Sequence, residues 1–194
     1  MVIQVERIAR QMARASWISF WIQVVLGVVA SVIFIFASPT LVTRTTTAMG
    51  TVSTAPNPAT AGGFAFGAIA LVVLAISIYQ AFLNTKHARR LQAPKGNRPS
   101  RADTIRRLRR GVMINLFGLG LALVGAEAIT GQLIGKALMQ SNPFNVGMFD
   151  PSKFVQALDI LVVLGNTHGM FAHFCSLTIA LWLIDRIGKA GQGD

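Results

Sequence analysis

Residues 160–184 read ILVVLGNTHGMFAHFCSLTIALWLI, 25 residues without a Lys, Arg, Asp or Glu. At about 1.5 Å of rise per residue, a helix of that length covers the roughly 30 Å hydrocarbon core of a bilayer. A buried strand needs only about 4–8 apolar residues. A helix also satisfies its own backbone hydrogen bonds where no water can do so. The run therefore reads as a transmembrane helix. Outward from it, Trp17 to Ser38 is 22 uncharged residues, Gly63 to Leu83 is 21, and Gly111 to Gly135 is 25 with one charge, Glu127. The reading is an all-α integral membrane protein with four transmembrane helices in two hairpins. It forms one domain over residues 1–194, with spans at about 16–38, 63–83, 111–137 and 156–185.

Composition agrees. Hydrophobic residues make up 53% of the chain and charged ones 13%, where an ordinary soluble domain has about 25% charged. Such hydrophobicity excludes a disordered chain. The single Cys175 has no intrachain partner, which excludes a disulfide-stapled fold. A net charge of +11 is compatible with a nucleic-acid binder only if the cations sit on a solvated domain. Here they flank the spans, so no nucleic-acid partner is expected. The first span exceeds the length of a signal-peptide core and ends without a small-residue cleavage site, so it is not read as a cleavable signal.

The charges also set an orientation. Fifteen Lys and Arg lie before span one, between spans two and three, and after span four; three (Arg44, Lys136 and Lys153) lie on the other side. The positive-inside rule places both termini and the basic loop in the cytoplasm or stroma. Trp17, Trp21 and Trp182 fall near the same ends, as interfacial anchors do. Basic amphipathic stretches precede spans one and three: Val5, Ile8 and Met12 in the first, Ile105, Leu108 and Val112 in the second. They are expected to lie in the membrane interface, with Arg106, Arg107, Arg109 and Arg110 binding anionic lipid or an acidic partner. The competing reading is a solvated topology signal. Ser100 and Asp103 form an S-x-x-D capping box after Pro99. Pro39 to Thr60 is rich in Thr, Ala and Pro and is assigned no structure.

Ionisable groups inside spans are expensive and usually face protein or water. The third span holds Glu127, with Asn115 early in it; the fourth holds Asp159, His168 and His173, with Asn166 and Cys175 nearby. Asp159, Asn166 and His173 are seven apart and share one helical stripe. His168 and His173 are about 140° apart and cannot share an ion on one straight helix. Glu127, about 24 Å beyond Gly111, is expected near Asp159 at the outer mouth, and His173, about 16 Å from Ile184, near the midplane. Gly120, Gly131 and Gly135 are expected to admit a neighbouring helix, the last two as a GxxxG step. Carboxylates followed by an imidazole make a plausible cation route, with Asp159, Asn166, His173 and Glu127 as ligands suited to divalent iron. The bland alternatives are a helix cap at Asp159, a packing role for His173, a small apolar role for Cys175, and pairing of Glu127 with Lys136 or another subunit. No HExxH, CxxC, P-loop or nucleophile elbow is present, and no enzyme is expected.

Several segments carry a resemblance. They are P-S-R-A-D (Pro99–Asp103), R-R-G-V-M-I-N-L-F-G-L-G (Arg109–Gly120), G-K-A-L (Gly135–Leu138), N-P-F (Asn142–Phe144), A-L-D (Ala157–Asp159), H-F (His173–Phe174) and W-x-S-F-W (Trp17–Trp21). In order and spacing the chain resembles the four-helix chloroplast inner-envelope family described both as a Tic translocon component and as a "permease in chloroplasts", which has cyanobacterial relatives. The resemblance implies iron transport or protein import. It implies shared positions at Asp159 and His173, whereas Glu127 and His168 depart from the plant pattern. Three readings follow: a permease or homeostasis protein for iron or another divalent cation, working as a homo-oligomer; an accessory subunit of a translocon or assembly complex; and a photosystem-associated assembly factor with His168 or His173 as a pigment ligand. No resident cofactor is assigned, and iron enters only as cargo. The expected location is the plasma or thylakoid membrane of a cyanobacterium, or the inner-envelope equivalent.

Overall fold

A computed structural model describes residues 2–38, 42–46, 52–56, 58–94, 97–140, 155 and 157–190. Helix α1 runs Val2–Ala37, α2 Pro58–Arg90, α3 Arg101–Gln140 and α4 Ala157–Lys189. Each contains one of the apolar runs, and each is long and apolar enough to cross a membrane. The shortest has 33 residues and the longest 40, so the helices are about 50–60 Å long and outreach the hydrocarbon core. The start of α3 carries its cap. Ser100 Oγ accepts from the Asp103 backbone N–H at 3.0 Å and donates to the Asp103 carboxylate at 2.6 Å. The N-P-F segment at Asn142–Phe144 and Lys153 lie outside the described residues.

One segment departs from the reading above. Strands β1 (Val42–Thr46) and β2 (Val52–Pro56) form an antiparallel hairpin, with Val42 opposite Pro56 and Thr46 opposite Val52. Val and Thr fit a pleated backbone, and the composition of this loop hid that local preference.

The helices pack in chain order around a ring: α1 on α2, α2 on α3, α3 on α4, and α4 back on α1; α2 and α4 also touch across the centre. The α2–α3 contact is as extensive as the contact within either chain-adjacent hairpin. The ring is therefore the packed unit.

The buried positions explain the ring. In α2 they include Gly63, Gly67, Ala70, Leu74, Ser77, Ala81, Asn84 and Ala88, with Thr85 beside the row; in α3 they include Thr104, Leu108, Gly111, Asn115, Gly118, Ala122, Gly125 and Ile129, with Ala126 beside it. Both series alternate steps of four and three, a 3.5-residue period that keeps one seam facing its neighbours. On α4 the same alternation runs from Asp159 through Asn166 and His173 to Ile187. The seams are mostly small or polar, while Val28, Ile35, Val72, Phe117 and Phe171 point outward. A soluble bundle does the reverse. Lipid tails are as apolar as Leu, so nothing is gained by burying large side chains, and close packing of small ones joins the helices.

At one end the bundle has a conventional core. Ala9, Met12, Ala88, Leu91, Leu108, Leu183 and Ile187 cluster there, with Ile8 and Ile105 packed against them. This end gathers the start of α1, the end of α2, the start of α3 and the end of α4, and hence the basic segments. The basic amphipathic stretches are not separate elements but the ends of longer helices. Met12 and Leu108 are at most 1% exposed, and their segments continue α1 and α3. Their apolar stripes are satisfied by the neighbouring helices rather than by lipid.

Candidate functional site

The 3.5-residue period brings Asp159, Asn166 and His173 to the buried face of α4. Polar side chains from the other helices meet them. Together they form a column through the bundle: Asp159 and Lys136 at the end away from the basic segments, then Asn166, then His173 with Asn115, Ser77, Gln23, Ser19 and Ser176, and last Asn84.

At the far end Lys136 Nζ lies 2.6 Å from Asp159 Oδ2, and both side chains are largely buried. Glu127 is exposed on the outside of α3. The expected pair of carboxylates does not form, because Glu127 falls between the buried positions Gly125/Ala126 and Ile129 and so points away from the seam. Gly120, Gly131 and Gly135 are also corrected. A Cβ added at any of them meets no described atom within 4 Å. The close approaches use other glycines. A Cβ at Gly63 would lie 3.0 Å from the Gly125 carbonyl oxygen, and one at Gly125 would lie 3.0 Å from that of Gly63. At Gly67 it would overlap the Phe34 ring, and at Gly118 the His173 imidazole. Gly63 and Gly67 are themselves a GxxxG step, and the small-residue heptads of α2 and α3 were the sequence signal for this packing.

Asn166 sits beside the close approach of α2 and α3 at Gly63, Gly67 and Gly125. Its Nδ2 donates to the Val162 carbonyl at 3.3 Å. Its Oδ1 is buried with no hydrogen-bond partner among the described residues and lies against Gly67 and Gly125.

His173 is fully buried. Nδ1 is 3.0 Å from Asn115 Oδ1, and Nε2 is 3.4 Å from the Ala70 carbonyl oxygen. Asn115 Nδ2 donates to the Gly111 carbonyl at 2.8 Å and to Ser176 Oγ at 3.1 Å. Ser77 Oγ lies 2.6 Å from Gln23 Oε1 and 2.8 Å from Asn115 Oδ1. Gln23 Nε2 donates to the Ser19 hydroxyl and carbonyl. All four helices thus join one hydrogen-bond network in the middle of the bundle. Of its members beyond His173, sequence reading had singled out Asn115 alone. Gln23, Ser77 and Ser176 look like isolated polar interruptions until the seams are aligned.

Both ring nitrogens of His173 face oxygens of the network, at 3.0 and 3.4 Å. Among the described residues no group of three His, Cys, Asp or Glu could hold a metal ion. His168 turns its Nδ1 to the Leu164 carbonyl one turn back, at 2.8 Å, and stays out of the network. Cys175 is half-buried and free.

The four arginines divide. Arg107 Nε donates to Asn84 Oδ1 at 2.9 Å, tying α3 to α2. Arg106 faces Asp103 at 3.9 Å. Arg109 and Arg110 are exposed. Arg101, outside the expected set, donates to the Gly188 carbonyl at the end of α4 at 2.7 Å.

A family model described as "Protein of unknown function (DUF3611)" matches residues 3–188. The chain is 34% identical over 182 residues to "Protein TIC 21, chloroplastic" of Arabidopsis thaliana, an alignment covering 93% of this chain. The chain spans 58% of the length of that relative. No solved structure matches. With a family model matching almost its whole length and four helices able to cross a membrane, the chain belongs to the DUF3611 family and is similar to a chloroplast Tic protein.

Proposed function

We propose that this chain is a non-enzymatic, multi-pass permease or homeostasis protein for divalent iron or a similar cation. The supporting observation is the polar column, which places Asp159, Asn166 and the central network between the helices. Asp159 is the entry carboxylate. The Lys136 ammonium occupies it in this conformation, as a tethered competitor that an incoming cation displaces. Asn166 Oδ1, an oxygen ligand without a hydrogen-bond donor among the described residues, is the next station, seven residues or about 10 Å along α4. The basic end faces the cytoplasm or stroma, from the fifteen-to-three distribution of Lys and Arg. The resemblance to the permease family supports the same cargo. Uptake of ferrous iron into liposomes containing the purified chain tests the reading. Asp159→Asn and Asn166→Ala should each lower uptake about tenfold, and Lys136→Gln should lower the iron concentration giving half-maximal uptake. Undiminished uptake by the first two variants refutes it.

A second reading is an accessory subunit of a membrane translocon or assembly complex. The buried Lys136–Asp159 pair and the glycine contacts around Asn166 favour it, because they close the column. The outward face of α3, with Glu127, Gly120, Gly131 and Gly135, offers room for another subunit or a second copy. Recovery with one partner at fixed stoichiometry, without iron uptake, would select this reading.

A further inference from the structure

A hydroxyl on a membrane helix can return its hydrogen to the carbonyl one turn back and so needs no partner helix. Ser31, Thr85, Thr167 and Thr178 do so, to Gly27, Ala81, Val163 and Phe174. Three buried serines do not. Ser16 is 3% exposed and makes no hydrogen bond among the described residues. Ser19 Oγ accepts from Gln23 Nε2 at 3.0 Å, and Ser176 Oγ accepts from Asn115 Nδ2 at 3.1 Å. Their own hydrogens have no acceptor among the described residues. Asn84 is in the same position. Its Oδ1 accepts from Arg107 Nε at 2.9 Å, which turns Nδ2 the other way, and Nδ2 has no partner among the described residues.

These four residues line one cavity of about 20 Å³ between the central network and the basic end. That is more space than one water needs. A water there takes up some of the spare hydrogens but brings its own, so the surplus of donors persists. An anion accepts from all of them and brings none. No acidic residue lines the cavity among the described residues. Behind Asn84 stands Arg107, whose guanidinium also feels the like charges of Arg110 and Arg90. The field at this end therefore favours negative charge. Several charge-assisted hydrogen bonds, together with that field, offset the cost of taking a small anion out of water.

We infer that this cavity is a binding site for a small spherical anion, of which chloride is the abundant example. The donors are the hydroxyls of Ser16, Ser19 and Ser176 and the Nδ2 amide of Asn84, so the ion joins α1, α2 and α4 beside the network. The site does not rest on the permease reading. If that reading holds, the ion also offsets the positive charge that the basic segments set against a cation at this end of the column.

The test uses the full chain in detergent, with chloride replacing gluconate at fixed ionic strength. Line broadening in the chlorine NMR signal reads binding. The expected result is saturable broadening that bromide reverses and sulfate does not, because sulfate is too large for the cavity yet binds exposed arginines. Ser16→Ala and Ser176→Ala should each raise the half-saturating chloride concentration about tenfold, the worth of one hydrogen bond to a charged group. Arg106→Gln combined with Arg109→Gln, on the exposed face of α3, should leave it unchanged. No saturable broadening, as for a cavity that holds water only, overturns the proposal. So does reversal by sulfate as complete as by bromide, or an unchanged affinity in both serine variants. Should those variants fail to fold, the contrast between bromide and sulfate in the parent chain decides.

Discussion

Gly118 shows how single residues control this bundle. Its hydrogen leaves room for the His173 ring, which a Cβ would overlap. Gly118→Ala should therefore destabilise the protein by about 1–3 kcal/mol, as overpacking does, read as a lower melting temperature in detergent. Gly131→Ala, on the open face of α3, should melt within a degree of the parent. Cys175→Ala should be nearly silent in stability and in iron uptake, since among the described residues Cys175 makes no hydrogen bond or disulfide. Arg107 and Arg109 separate structure from surface in a similar way. Arg107→Gln loses the bond to Asn84 and should cost about 1 kcal/mol of stability. Arg109→Gln combined with Arg110→Gln should keep stability and weaken binding to anionic vesicles relative to neutral ones, because both guanidinium groups are exposed beside the spans.

At the scale of elements, the basic amphipathic stretches are the informative case. The same stripe of Ile8 and Met12, or of Ile105 and Leu108, can face lipid or other helices. A local pattern reports the face but not its partner. In the bundle these residues form the core of the basic end, so α1 and α3 continue unbroken through the interface. Hydrogen exchange should show continuous amide protection from residue 8 to residue 20 and from residue 104 to residue 116. A gap of fast exchange before Trp17 or before Met113 would restore the in-plane helices. The hairpin of β1 and β2 makes the same point: its Val and Thr residues carry a preference, but pairing between segments realises it.

For the whole molecule, the clustering of the basic segments at one end gives the orientation a direct test. Cysteines placed after Asp194 and in the β1–β2 hairpin, in a Cys175→Ala background, should be labelled from opposite sides of the membrane. Labelling of both from one side would overturn the positive-inside assignment and the entry side assigned to Asp159. The four spans, the capped start of α3 and the common stripe of Asp159, Asn166 and His173 were legible in the sequence. Each depends on local chemistry: apolar length against bilayer thickness, a side chain reaching its own backbone, and residues seven apart on a helix. The partners of that stripe were not legible. A 3.5-residue period gives the direction in which a side chain points along its own helix, and the rotation and vertical register of the neighbouring helices then decide what it meets. That register turned Glu127 outward, gave Asp159 to Lys136, exchanged Gly120 and Gly131 for Gly118 and Gly125, and set His173 between two oxygens of the network. In lipid, where large apolar side chains gain nothing by burial, the fit of small residues and polar pairs across helices makes that choice, and only the tertiary structure contains it.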